Sequence, residues 1–341
     1  MRVLERGLDR LRRHDLTRKL LFIGRPGRLI GARVRRSAAA NPAPGALAPI
    51  LVDYYSRDGS TLMMRLLATS PQIAVGGVYP YEQKYFAYIW RWSRVLTRPD
   101  WDKTHWTGGN LSSITQERDQ DMLGPPPWRR RELMEPGSPG EPSLSERCFE
   151  LAWREFSRRA TVQTRIQHRR PEADVRYYAE KHLNSWMLDR YELPPLRLIV
   201  LLRDPRDTYV SAVAFREQAG YAQLGQQRAR NEGEYLSEFI DRQRSRLRWI
   251  AGLLGDDSTP VVRYEDLVAG LPGVALKLER WLSVQLDAEA AAKDWRISWL
   301  HRTADTPEKS IGRWRRELAP QVAEEFKRRL GPELRALGFG D

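Results

Sequence analysis

Arg57, Gly59, Ser60 and Thr61 stand together in the segment YSRDGSTLMMRLLATSP, Tyr55–Pro71. An apolar run, Ile50–Val52, precedes them, and Leu62, Met63, Leu66 and Leu67 follow at helical spacing. The pattern predicts a buried strand, a tight glycine turn and a helix N-terminus. Such a junction binds anions. Backbone N–H groups point outward, the helix dipole favours negative charge, and two hydroxyls with a guanidinium complete the cradle. It is not the G-x-x-x-x-G-K-[ST] nucleotide loop, because no glycine stands five residues before Gly59 and no lysine follows it.

A second anion site lies in LRLIVLLRDPRDTYVSAVAF, Leu196–Phe215. Leu198–Leu202 is a continuous apolar run, as in a strand covered on both faces of a parallel sheet. Arg203 ends it, and Pro205 stands where a proline is tolerated in a first helical turn. Ser211 follows Arg203 by about two turns beyond the proline, so one phosphate at the strand end can touch both. Two such crossovers on one sheet describe a ligand with phosphates at both ends.

These residues resemble the sulfotransferases that use 3′-phosphoadenosine 5′-phosphosulfate as donor. The 5′-phosphosulfate loop of that family, basic-x-Gly-[Ser/Thr]-[Ser/Thr], is matched by Arg57, Gly59, Ser60 and Thr61, with Asp58 and Leu62 inside and beside it. Its 3′-phosphate segment is matched by Arg203, Asp204, Pro205, Arg206, Asp207 and Ser211. Tyr178–Leu183 resembles the family's Glu-Lys strand end, Arg263–Leu267 a later strand end, and Lys309–Trp314 the C-terminal loop that closes over the donor. The resemblance spans about residues 50 to 341. It implies a P-loop NTPase-like sulfotransferase fold and in-line sulfuryl transfer to an acceptor hydroxyl on a carbohydrate, glycolipid or secondary metabolite. It also implies that Lys309, Ser310, Gly312 and Arg313 join Arg203 and Ser211 around the donor, with the Gly312 region supplying backbone N–H groups to the 3′-phosphate. A nucleotide or nucleoside kinase on a related fold is the alternative enzyme. The missing loop lysine, and the lack of a Mg²⁺-binding carboxylate at a following strand end, weigh against it.

Sulfuryl transfer needs charge stabilised on the donor's bridging oxygen, a proton taken from the acceptor, and both groups held in line. Arg57 is the first candidate for the charge, and Lys181, expected at the end of a strand Val175–Ala179, for a place over the same crevice. Within the resemblance the base is a His or a Glu. His182 neighbours Lys181, and strand alternation turns neighbours to opposite faces. Glu82 lies among Tyr79, Tyr81, Tyr85 and Phe86, where desolvation raises basicity, although Val78 is closer in register to the family's glutamates. Glu82 is therefore placed ahead of His182. Asp58 departs from the family, and as an N-cap accepting from Ser60 or Thr61 it would turn its charge away from the donor. No metal is expected. The five histidines (His14, His105, His168, His182, His301) and Cys148 form no ligand-spaced cluster.

The elements that must position these groups follow from composition and pattern. The chain's 341 residues, 41% hydrophobic, suit one substantial core. Strands expected at Ile50–Val52, Gln72–Val75, Val175–Ala179, Leu196–Leu202 and Val261–Arg263 alternate with helices at 81–96, 144–160 and 233–254. Together they predict an α/β three-layer sandwich on a mainly parallel sheet. The ligand is expected outside the strands' carboxyl ends. Residues 97–145 read as an irregular insertion over the acceptor side, with Trp90, Trp92, Trp101, Trp106 and Trp128 as candidate wall aromatics.

The net charge of +13 is unevenly placed. Residues 1–36 carry twelve Lys/Arg against three acids, a net +9. Residues 1–49 thus read as a basic arm, part of it amphipathic, ending in the Pro/Ala-rich linker Ser37–Pro49, and the catalytic domain is expected from residue 50. The arm suits peripheral contact with an anionic membrane or a partner. Charge outside the fold and the absence of a recognition motif argue against nucleic acid as a partner. A single cysteine suits a reducing, cytoplasmic setting, and no apolar run reaches the roughly 20 residues of a membrane span.

Overall fold

The protein is described from a computed structural model, in which residues 45–77, 81–95, 141–183, 196–219, 229–293 and 303–340 are described. Strands β1 (Ala48–Tyr54), β2 (Ile73–Val75), β3 (Tyr177–Leu183), β4 (Arg197–Leu202) and β5 (Val261–Arg263) form one sheet in the order β2-β3-β1-β4-β5. Every pairing is parallel. Helix α1 (Ser60–Ala68) follows β1, α2 (Tyr85–Val95) and α3 (Leu144–His168) lie between β2 and β3, and α4 (Pro205–Ala219) and α5 (Glu232–Ala251) lie between β4 and β5. After β5 come α6 (Tyr264–Ala269), α7 (Leu271–Leu282), α8 (Ala288–Lys293), a 3₁₀ turn (Glu308–Ser310), α9 (Trp314–Glu317) and α10 (Pro320–Ala336).

Alternation along each strand divides the core into two layers. Leu51, Tyr178, Val200 and Leu202 join Phe86, Phe149, Trp153, Phe239 and Phe326 on one face. Ile50, Val52, Tyr177, Ala179, Ile199 and Leu201 join Met63, Leu67, Val274 and Leu278 on the other. Central strands buried on both sides lose their polar positions, which explains the unbroken apolar runs in the sequence. The result is the expected three-layer α/β sandwich. Among the described residues, no helix is long and apolar enough to cross a membrane.

Several expected boundaries move. β1 starts at Ala48, and Leu47 is already in the core, its N–H donating to Ser157 Oγ at 3.0 Å and its carbonyl accepting from Trp153 Nε1 at 2.9 Å. β3 begins two residues later than expected and runs through Lys181 and His182. α2 starts at Tyr85 rather than 81. The expected irregular insertion meets helix by Leu144, capped by a reciprocal Ser143–Glu146 box. Trp90 belongs to the core against Phe149 (5.2 Å) rather than to a pocket wall. Trp101, Trp106, Trp128, the basic arm and most of the insertion lie outside the described residues.

Candidate active site

Residues at the carboxyl ends of β1, β3 and β4 meet because the register aligns Val52 with both Lys181 and Ile199. The β1–α1 loop is tightly wound: Ser56, Arg57 and Gly59 have φ of +116°, +61° and +87°. A side chain at Gly59 would be excluded twice, by the left-handed backbone and by Tyr264, whose ring would lie 2.8 Å from a Cβ. Strain of this kind persists only where the surroundings enforce it. Gly59 is the N-cap of α1 and gives its first turn no side-chain hydrogen bond.

The two sequence-predicted anion loops touch. Arg57 Nε donates to Ser211 Oγ at 3.0 Å, and its guanidinium lies 4.9 Å from the Phe215 ring. Thr303 Oγ1 bonds Ser211 Oγ at 3.0 Å and accepts from Arg313 at 3.0 Å. Arg203, buried at 5% exposure, donates to the carbonyls of Arg57 and Ser310, and stacks 4.1 Å from the centroid of the Tyr264 ring. Among the described residues, its buried Nε has no hydrogen-bond partner. Arg57 thus joins the β1–α1 loop to Ser211 on α4.

Lys181 and Glu82 come together. Lys181 Nζ lies 2.7 Å from Glu82 Oε1 and 3.0 Å from Thr61 Oγ1. Burial holds this ammonium below its ordinary range, against the attraction of Glu82. Glu82's side chain is 53% exposed, so the apolar burial expected for it is not found. His182 is half-buried, and alternation puts it on the face of Tyr178 and Glu180, opposite Lys181.

Asp58 is not the expected N-cap. Its Oδ2 accepts from the Tyr55 N–H at 2.7 Å, and its carboxylate is fully enclosed, 4.0 Å from Arg246. Burial pushes its carboxyl above the ordinary range, and Arg246 opposes that rise. Arg246 also bonds Asp53 Oδ2 at 2.9 Å and the Leu201 carbonyl at 2.6 Å. One arginine on α5 thus ties together the ends of β1 and β4 and the loop between β1 and α1. The sequence reading passed over Arg246 and Asp53. The available signal was an arginine inside the buried stripe Phe239–Gln243–Arg246–Ile250 of α5.

The C-terminal loop is fastened by Asp207, which accepts from the N–H groups of Gly312 (2.6 Å) and Trp314 (2.9 Å). Gly312's N–H is therefore directed to a carboxylate, not to the crevice as expected. Arg313 pairs with Glu317 at 2.7 Å, and Lys309 is 64% exposed beside Asp305 at 2.9 Å. Ser310 Oγ bonds the Tyr264 hydroxyl at 2.7 Å. Leu62 is half-buried against the second core layer, and Ser60 is buried. Among the described residues, no group of three or more His, Cys, Asp or Glu is placed to hold a metal ion.

A family model described as Sulfotransferase family matches residues 49–288. No curated protein matches the chain in sequence. Among solved structures, the chain is similar to the sulfotransferase domain of the Synechococcus PCC 7002 olefin synthase, at 18% identity and TM-score 0.43, covering 84% of this chain and 97% of that one. It is also similar to a mouse sulfotransferase complexed with PAP (14% identity, TM-score 0.42, covering 85% and 84%). A Mycobacterium avium sulfotransferase gives 15% identity and TM-score 0.42, covering 86% and 78%.

Proposed function

Because the chain belongs to the sulfotransferase family, we propose that it moves a sulfuryl group from 3′-phosphoadenosine 5′-phosphosulfate to a hydroxyl of a carbohydrate, glycolipid or secondary metabolite. The observation that carries this is the junction of the two anion loops, where Arg57 reaches Ser211 and Arg203 reaches the Arg57 carbonyl. The buried Nε of Arg203, unpartnered among the described residues, and the glycine-tight turn at Gly59 fit a ligand with phosphates at both ends.

In this reading, the α1 N-terminus with Ser60 and Thr61 receives the phosphosulfate. Arg203, Ser211 and Arg313 receive the 3′-phosphate, and Arg57, between them, neutralises charge along the crevice. The acceptor oxygen attacks sulfur, the bond from sulfur to the bridging oxygen breaks, and adenosine 3′,5′-bisphosphate leaves. Lys181, beside Thr61, stabilises the charge that gathers on that leaving oxygen. Glu82 takes the acceptor proton, and its ion pair with Lys181 places base and cation on the same side of the transfer. His182, on the opposite strand face, takes no part. The basic arm would add a contact with an anionic membrane surface.

Calorimetry with adenosine 3′,5′-bisphosphate in a chelator tests the donor site. Binding is expected, with Arg203→Lys weakening it by about 2 kcal/mol through lost bidentate bonding. No binding, or equal binding by the variant, overturns the assignment. Labelled donor against a panel of hydroxylated acceptors identifies the acceptor class.

A further inference from the structure

Glu180 takes no part in the chemistry above, yet it is fully buried beside Lys181 on β3. Its Oε2 accepts from the Phe86 N–H at 2.9 Å and its Oε1 from the Ala87 N–H at 3.1 Å. The neighbouring Tyr178 hydroxyl accepts from the Tyr85 N–H at 3.3 Å. Tyr85, Phe86 and Ala87 form the first turn of α2, whose N–H groups have no partner within the helix. Two side chains of one β3 face therefore cap a helix from outside its own chain segment.

The four residues ahead of that helix contain Glu82. One of them takes a left-handed turn, as does the glycine upstream. Tyr81 has φ +62°, Gly77 has φ +72°, and a Cβ at Gly77 would meet the Gln83 side chain at 2.9 Å. Adjacent residues of β3 thus hold one short segment from both sides. Glu180 fixes the helix start through its backbone, and Lys181 fixes Glu82 through its carboxylate.

We propose that Glu180 is a positioning residue for the acceptor-side base, setting Glu82 against Lys181 by capping α2. The inference rests on the reading of Glu82 as the proton acceptor. Only an ionised carboxylate offers both N–H groups a full acceptor. Burial holds Glu180 up to about 7, while the two N–H groups, the Lys84 ammonium and the Tyr178 hydroxyl pull it down. Among the described residues, His182 stands next on the same β3 face, the Tyr85 ring lies 6.5 Å from that of Tyr178, and α3 presents Phe156 and Trp153 to Tyr178 there. Protonation below about pH 7 would remove one acceptor and loosen the cap.

Turnover, bisphosphate affinity and melting temperature are measured on Glu180→Gln, Glu82→Gln and the double variant. Glu180→Gln keeps the shape but opposes an N–H with its amide. It is expected to lower kcat by about tenfold to a hundredfold through misplacement of Glu82, with bisphosphate affinity unchanged. In the Glu82→Gln background it should lower kcat by less than about threefold, because both act through one group. In the wild type kcat is expected to fall toward acid as Glu180 takes up its proton, and this acid-side fall should be absent in Glu180→Gln. Normal kcat in folded Glu180→Gln, or full additivity in the double variant, overturns the inference. Normal kcat in Glu82→Gln instead overturns the base assignment, a separate result. If Glu180→Gln does not fold, Tyr178→Phe decides. A several-fold loss of kcat at unchanged affinity supports the cap, and an unchanged kcat refutes it.

Discussion

Beneath the β1–α1 loop, Asp53, Asp58 and Arg246 are at most 2% exposed, and one guanidinium serves two carboxylates and a carbonyl. Across the crevice, Glu82 is 53% exposed and pairs with the buried ammonium of Lys181. Both are ion pairs that organise a site, but water stands in for a lost partner only on the second. The loop side is thus set before any ligand arrives, at the expense of buried charge. In the proposed reading, the Glu82 side keeps a carboxylate within reach of solvent and acceptor. A group that must exchange a proton needs that access, whereas a group that shapes a phosphate loop does not.

The largest expected effect separates the two regions directly. Arg246→Met leaves two buried carboxylates uncompensated and should cost about 3–5 kcal/mol of stability in denaturant titration. Lys181→Met leaves Glu82 to be hydrated and should cost less than about 1 kcal/mol while abolishing most turnover. Equal stability losses would break the contrast.

A smaller effect is expected at Asp58. Asp58→Ala strips the Tyr55 N–H of its acceptor and should cost about 1–3 kcal/mol. Asp58→Asn retains the acceptor and removes the buried charge. Because burial raises the Asp58 carboxyl above its ordinary 3.8, the folded state keeps a proton that the unfolded chain has released. The stability from this group is full below about pH 3.8 and is lost as pH rises through the raised value. Melting temperature against pH should therefore fall less steeply in Asp58→Asn, with bisphosphate affinity unchanged or tighter. A steeper fall would show that the Arg246 attraction outweighs burial.

Lys309→Ala should have the smallest effect. The side chain is 64% exposed and its partner Asp305 is 81% exposed, so stability should change by less than about 0.5 kcal/mol. A large loss of bisphosphate affinity would show that this lysine leaves Asp305 for the donor.

The strand–turn–helix units after Ile50–Val52 and Leu198–Leu202 were legible because their signals are local: apolar runs, Gly59, Pro205 and helical spacing beyond them. The placement of Lys181 and His182 on opposite faces followed from alternation alone. Asp58 was misread because a carboxylate two residues before a helix's first residue is locally indistinguishable from a cap. What turned it inward was Arg246, an arginine whose bond to Asp53 spans 193 residues. Glu82 was expected in apolar surroundings and is instead exposed, since the partner that holds it lies 99 residues away. The sequence by itself determined which backbone segments offer donors and positive charge, because φ preferences and burial periodicity act within a few residues. Only the tertiary structure decided which charges face each other and which face water, because that choice is made between residues whose proximity exists only once the sheet has assembled.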